Sequence, residues 1–177
     1  AHYDGGISNP GYFTDGRGTR FLIELTNKLS STDEVTAGSY FHVVNDIERI
    51  GDHAFNFYEE SLKMVDNDLS FSDTAKKEFQ EMFRVVDKMF DLAYAIFDNQ
   101  TRVNLKKLHD LEDITDGLKN KLSTAHYERI QNNTCKMENS PFYTSLVSGL
   151  ERVADHLVNV GYSIVNPTGD DIFEKKK

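Results

Sequence analysis

Apolar residues recur at threes and fours along most of this chain, in runs separated by polar or glycine-containing breaks. Phe21, Leu22, Leu25 and Leu29 share one face of a short helix predicted over residues 19–29, which Ser30-Ser31-Thr32 ends. From Tyr40 through Val43, Val44, Ile47, Ile50, Ala54, Phe57, Tyr58 and Leu62 to Val65 the helical period holds without interruption, and Ser31 with Glu34 has the spacing of a capping box at the start of this second, long helix. Ser72-Asp73 can cap a third helix, whose apolar stripe is Phe79, Phe83, Val86, Met89, Phe90, Ala93, Ile96 and Phe97, with Asp98-Asn99 as its break. Leu105, Leu108, Leu111, Thr115, Leu118, Leu122 and Ala125 predict a fourth, running to about Ile130 before the polar stretch Gln131-Asn132-Asn133-Thr134. Ser140-Pro141 reads as a cap followed by proline at the first helical position, opening a fifth helix over residues 143–165 that Asn166-Pro167-Thr168-Gly169 terminates. No alternating strand pattern competes, so the predicted class is all-α, an antiparallel helical bundle. Six glycines and prolines fall within residues 1–18, too many backbone-permissive positions for a regular element, and that stretch reads as an irregular arm.

Two of these helices carry the same pattern. Ile47-Glu48-Arg49-Ile50-Gly51-Asp52-His53 and Leu150-Glu151-Arg152-Val153-Ala154-Asp155-His156 are offset by 103 residues, and at that offset Tyr40 pairs with Tyr143, Val44 with Val147, and Asn56 with Asn159. The chain therefore reads as a tandem repeat whose unit ends in the motif helix. Helices three to five make one complete three-helix unit, whereas the first unit holds only its last helix and a short piece before it. The expected organisation is an arm over 1–18, an incomplete first repeat over 19–68, a complete second repeat over 69–167 and a frayed tail over 168–177, as in a fragment lacking an N-terminal helix and most of the next.

A length of 177 residues with 38% apolar and 28% charged positions suits such an array. Lys+Arg 20 against Asp+Glu 29 leaves a net charge of −9, which disfavours nucleic acid and anionic membrane surfaces and favours cations and basic partners. The lone Cys135 excludes an internal disulfide and a cysteine-cluster zinc site, and a cytoplasmic setting is expected. No apolar run approaches the ~18–20 residues of a membrane span.

Each repeat sets a Glu and an Asp four apart, so on a helix the two carboxylates stand one above the other and repel. Val44 and Phe55 bracket Glu48 and Asp52, and Val147 and Val158 bracket Glu151 and Asp155. On the shoulder of a buried stripe an ionised carboxylate needs a counter-charge or a proton, and a hard metal bound through oxygen would serve both members. Glu112 with Asp116 and Asp87 with Asp91 have the same spacing, though ordinary solvated helix faces account for them as well. Salt bridges to Arg49 and Arg152 are the alternative to metal at the repeated pairs. His53 and His156 could ligate or orient a ligand, or make plain structural hydrogen bonds.

These stretches, ERIGDH and ERVADH, resemble the repeated E(D)xxxD metal-binding motif of the PhoU family, over roughly residues 21–165. The Cys135 loop followed by a Ser-Pro helix start is more similar still to the PhoU-like cytoplasmic domain at the C-terminus of sodium/phosphate cotransporter proteins. The resemblance implies paired three-helix bundles, multinuclear iron, zinc, manganese or magnesium sites, and regulation of phosphate uptake or signalling through a transporter or sensor. It carries over Glu48, Asp52, Glu151 and Asp155, and also Glu112 and Asp116. Asn9 and Phe13 stand at the first-repeat positions equivalent to Glu112 and Asp116, which leaves the first site short of ligands. A second copy of the chain, as a homodimer, or the glycine-rich arm would cover the unpaired face of the first motif helix. Membrane association would arise only through an attached transporter region.

Two rivals differ in class. A di-metal carboxylate oxidase would need Glu-x-x-His, and no Glu here is followed by His three residues later. A helical interaction module would keep its carboxylates salt-bridged and never meet metal. No glycine-rich phosphate loop and no nucleophile with its base is present, so a non-enzymatic role is expected.

Overall fold

The computed structural model describes residues 31–166, with side chains from residue 35, and the described elements are all helical. They are α1 (Ser31–Asp66), α2 (Asp73–Asn99), α3 (Leu105–Gln131), a 3-10 turn (Met137–Asn139) and α4 (Ser140–Val165). The arm over 1–18, the helix over 19–29, the side chains of the Ser31/Glu34 capping pair, Asn9, Phe13 and the tail over 168–177 lie outside the described residues.

Local chemistry sets the helix ends. Ser72 Oγ accepts the Ala75 N–H at 3.2 Å, capping α2. α1 and α3 both close with a left-handed residue, Asp68 (φ 51°) and Asn133 (φ 54°). In α1 the Leu69 N–H returns to the Met64 carbonyl at 2.9 Å and the Asp68 N–H to Val65 at 3.1 Å; in α3 Thr134 returns to Arg129 and Asn133 to Ile130 in the same way. One expectation fails at the start of α4. Ser140 does not cap, because the 3-10 turn feeds directly into the helix and Ser140 is already helical; its hydroxyl pairs instead with His126 Nε2 at 2.9 Å.

α4 is the hub: it packs against α1, α2 and α3, and α2 packs against α3. The α2 seam runs Ala75, Met82, Val86, Met89, Ala93 and Ile96, at threes, fours and sevens, and meets Leu108, Thr115 and Leu122 of α3 and Val147, Ala154 and Leu157 of α4. Phe83 and Phe90, read from sequence as part of that stripe, are exposed. They sit one position off the seam and line shallow apolar grooves of 380 and 290 Å³ where α1, α2 and α4 meet. On α1 only a narrow face is covered, and Ile47, Tyr58, Leu62 and Val65 are exposed among the described residues.

One end of the three-helix unit is tied by polar groups. Arg129 of α3 makes a two-pronged contact with Glu78 of α2, both bonds 2.8 Å, and the Tyr143 hydroxyl of α4 donates to Glu78 Oε2 at 2.7 Å. Burial, and then the hydrogen bond to Glu78, push the Tyr143 phenol far up from its ordinary value. The buried His126 ring stacks on Tyr143 with centroids 4.2 Å apart.

α1 and α4 run antiparallel with their motifs side by side. Asp46 meets His156, and the position 103 residues after Asp46, Gly149, faces His53, so the two helices are related by an approximate two-fold. A Cβ on Gly149 would fall into the Phe57 ring, and one on Gly161 would lie 2.6 Å from Leu108 Cδ2. The two glycines are what let α1 and α3 approach α4 this closely.

Candidate metal centre

On α4, Glu151 and Asp155 project from one face toward α3. There they meet Asp116, and one carboxylate oxygen of each of the three lies within 4.8 Å of the other two. The sequence spacing places Glu151 above Asp155; only the packing of α3 on α4 adds the third carboxylate. Burial raises the Asp155 carboxyl above the usual carboxylate range, with the Glu151, Glu112 and Asp116 charges pushing the same way and His156 opposing. A cation placed among these carboxylates would oppose that shift. Oxygen-only donors on two rigid helices suit a hard cation.

The cation in contact with this group is one the sequence pattern did not single out. Lys119 Nζ of α3 lies 2.8 Å from Glu151 Oε1. Among the described residues neither Arg49 nor Arg152, the partners considered from sequence, makes an ion pair with the motif carboxylates; both are exposed. A signal did exist: Lys119 follows Asp116 by three residues and so shares its helix face.

Glu112 lies next along α3 but groups with His109 and Asp113, His109 Nδ1 donating to Glu112 Oε2 at 2.7 Å. Its charge still reaches Asp155 and Tyr162, raising both. His109 and Asp113 were not anticipated, although His109 precedes Glu112 by three residues.

The first motif is placed differently. Glu48 is half-buried and Asp52 exposed, and no third ligand joins them among the described residues. Asp87 and Asp91 are exposed on α2 and join no such group either.

Between the two motifs lies a polar seam. The His156 and His53 rings are 6.0 Å apart by centroid. His156 Nδ1 and Asn159 Nδ2 both reach Asp46 Oδ1, at 2.8 and 3.2 Å, and since a carboxylate only accepts, the His156 proton sits on Nδ1. Burial lowers the His53 pKa, with His156 and Arg152 adding to it. Asp46 has no acidic counterpart at Gly149, so the repeat gave no hint of it.

The sequence matches the family model described as the PhoU domain over residues 79–164, the span from α2 to the end of α4. The chain carries a PhoU domain. The three converging carboxylates lie inside that PhoU domain, and Glu48 and Asp52 lie before it. Over 121 residues the chain is 28% identical to a Thermotoga maritima protein described as phosphate-specific transport system accessory protein PhoU homolog 1, covering 68% of this chain and 51% of that protein. The chain thus spans about half the length of this PhoU relative. No solved structure matches it. Among the described residues of and around the PhoU domain, no helix is long and apolar enough to cross a membrane.

Proposed function

We propose that this chain is a metal-binding, non-enzymatic regulatory domain of phosphate transport or signalling. The observation that carries the reading is the convergence of Asp116, Glu151 and Asp155 from two helices of the PhoU domain. Their donor chemistry fits manganese, magnesium or iron better than zinc, since no sulfur and no imidazole belongs to the group. A bound ion would neutralise three crowded carboxylates and brace α3 against α4. The name of the Thermotoga relative and the family resemblance support action on a phosphate transporter or sensor, in the cytoplasm, and the resemblance to the domain of sodium/phosphate cotransporters supports covalent attachment to such a protein.

Elemental analysis of protein purified without chelator, followed by thermal melts with added Mn2+, tests the reading. Metal at a hundred times its Kd stabilises by about 2.7 kcal/mol, so the wild-type melt rises measurably. Glu151→Ala combined with Asp155→Ala abolishes that rise, whereas Glu48→Ala combined with Asp52→Ala keeps it. Protein that carries no metal and does not respond to Mn2+ would leave the metal-free interaction module, which the Lys119–Glu151 pair favours. Phosphate uptake that is unchanged when the chain is deleted from its host would remove the regulatory half of the proposal.

A further inference from the structure

Glu151 is 15% exposed, and its counter-ion comes from the chain itself. Lys119 supplies it through a single contact, Nζ to Oε1 at 2.8 Å, with its own side chain 35% exposed. The ammonium is a compact point charge on a flexible four-carbon stem, and from a partly exposed position it can swing into water without stranding a buried charge. Arg129 shows the opposite construction. Its guanidinium is fixed by two 2.8 Å bonds to Glu78, lies over the Tyr143 ring and is only 15% exposed. One of these ion pairs is built to stay and the other to open.

We propose that Lys119 is a resident, displaceable counter-ion of the Asp116–Glu151–Asp155 group. In the metal-free chain its ammonium holds Glu151 in position beside α3. A cation of charge two or more entering among the three carboxylates repels the ammonium, which leaves for solvent. Lys119 and the metal therefore compete, and metal loading also changes the outer face of α3 by releasing a lysine onto it. The inference rests on the metal-site reading above.

The test uses the full chain, Mn2+ as probe and isothermal titration at fixed ionic strength, with wild type, Lys119→Met and Lys119→Arg. Loss of a neighbouring like charge is expected to tighten Mn2+ binding about tenfold in Lys119→Met, and Lys119→Arg, which keeps the charge, stays well below that gain. Lys119→Gln gives the same answer should Lys119→Met precipitate. In parallel, acetylation of wild-type lysines read by mass spectrometry should become several-fold faster at Lys119 when Mn2+ saturates, with the exposed Lys106 unchanged. Wild type that binds Mn2+ while Lys119→Met and Lys119→Gln bind it no tighter, or while Lys119 acetylation does not change, overturns the displacement and leaves the metal site standing. Wild type that takes up no Mn2+ overturns both.

Discussion

The motif on α4 and the motif on α1 are near copies in sequence, yet their carboxylates stand in different surroundings. Glu151 and Asp155 face α3, which adds Asp116 as a third carboxylate and Lys119 as a counter-charge. Glu48 and Asp52 belong to a helix that rests chiefly on α4, and the described part of the chain brings no further ligand to them. A metal-ligand spacing written on one helix is thus half a site. The other half is a second helix, and the repeat says nothing about whether it is there.

Burial separates the two motif helices most strongly. Leu150 is 7% exposed and Ile47, its equivalent in the repeat, is 52% exposed. Leu150→Ala should cost about 2–5 kcal/mol, as expected for a buried side chain whose space is left empty, and Ile47→Ala less than about 1 kcal/mol. Urea unfolding of both variants measures this, and equal losses would mean that α1 is as enclosed as α4.

A smaller effect distinguishes the polar seam. Asp46→Ala removes the acceptor shared by His156 and Asn159 and should destabilise by about 1–2 kcal/mol. Asn56→Ala, on the exposed side of α1, should change stability by less than about 0.5 kcal/mol. If the two variants unfold at the same urea concentration, the Asp46 contacts add nothing.

The smallest expected effect is in pH. The folded chain holds the Asp155 proton more tightly than the unfolded chain does, because burial and three neighbouring carboxylates raise its pKa. Across the window from about pH 4 up to that raised value the folded state therefore binds more protons, and metal-free stability declines as pH rises through it. Asp155→Asn should flatten this decline. His53 and His126 have the opposite sign: burial lowers both, so their share of stability is complete above the ordinary histidine range and is lost as pH falls through it toward their lowered values. Melts of wild type and Asp155→Asn that run parallel across the acid window would contradict the assignment at Asp155.

Local signals were the ones legible in the sequence. The Ser72 cap, the polar break after Gln131 and the end of the last helix at Asn166 each depend on a few neighbouring residues, and each falls within a residue or two of its expected place. The all-α bundle follows from the same periodicity. Where a wide apolar stripe had to be narrowed to a seam, the pattern took Phe83 where the core uses Met82 and kept Phe90 beside Met89, because neighbours on a helix differ by only 100° and the facing helix decides. Ser140 lost its capping role because the 3-10 turn before it makes it already helical, and its hydroxyl is taken up by His126 from α3. At the candidate centre the Glu151 and Asp155 pair was visible in the sequence and the third carboxylate only as a spacing that solvated faces share, while Glu48 and Asp52, written with the same spacing, join no such group among the described residues. Lys119 and Asp46 reach their partners from other helices; the three-residue spacing of Lys119 from Asp116 was the one trace within a segment, and Asp46 left none.

The Phe57 ring seated against Gly149 acts as a detent between the two motif helices. Sliding α1 along α4 by one turn, about 5.4 Å, would carry the ring from the one position on that face without a Cβ toward Ser145 or Val153, each of which has one. Lengthwise creep of the pair by a turn would therefore push the ring against a Cβ in either direction, a steric stop that tilting or separating the helices does not meet.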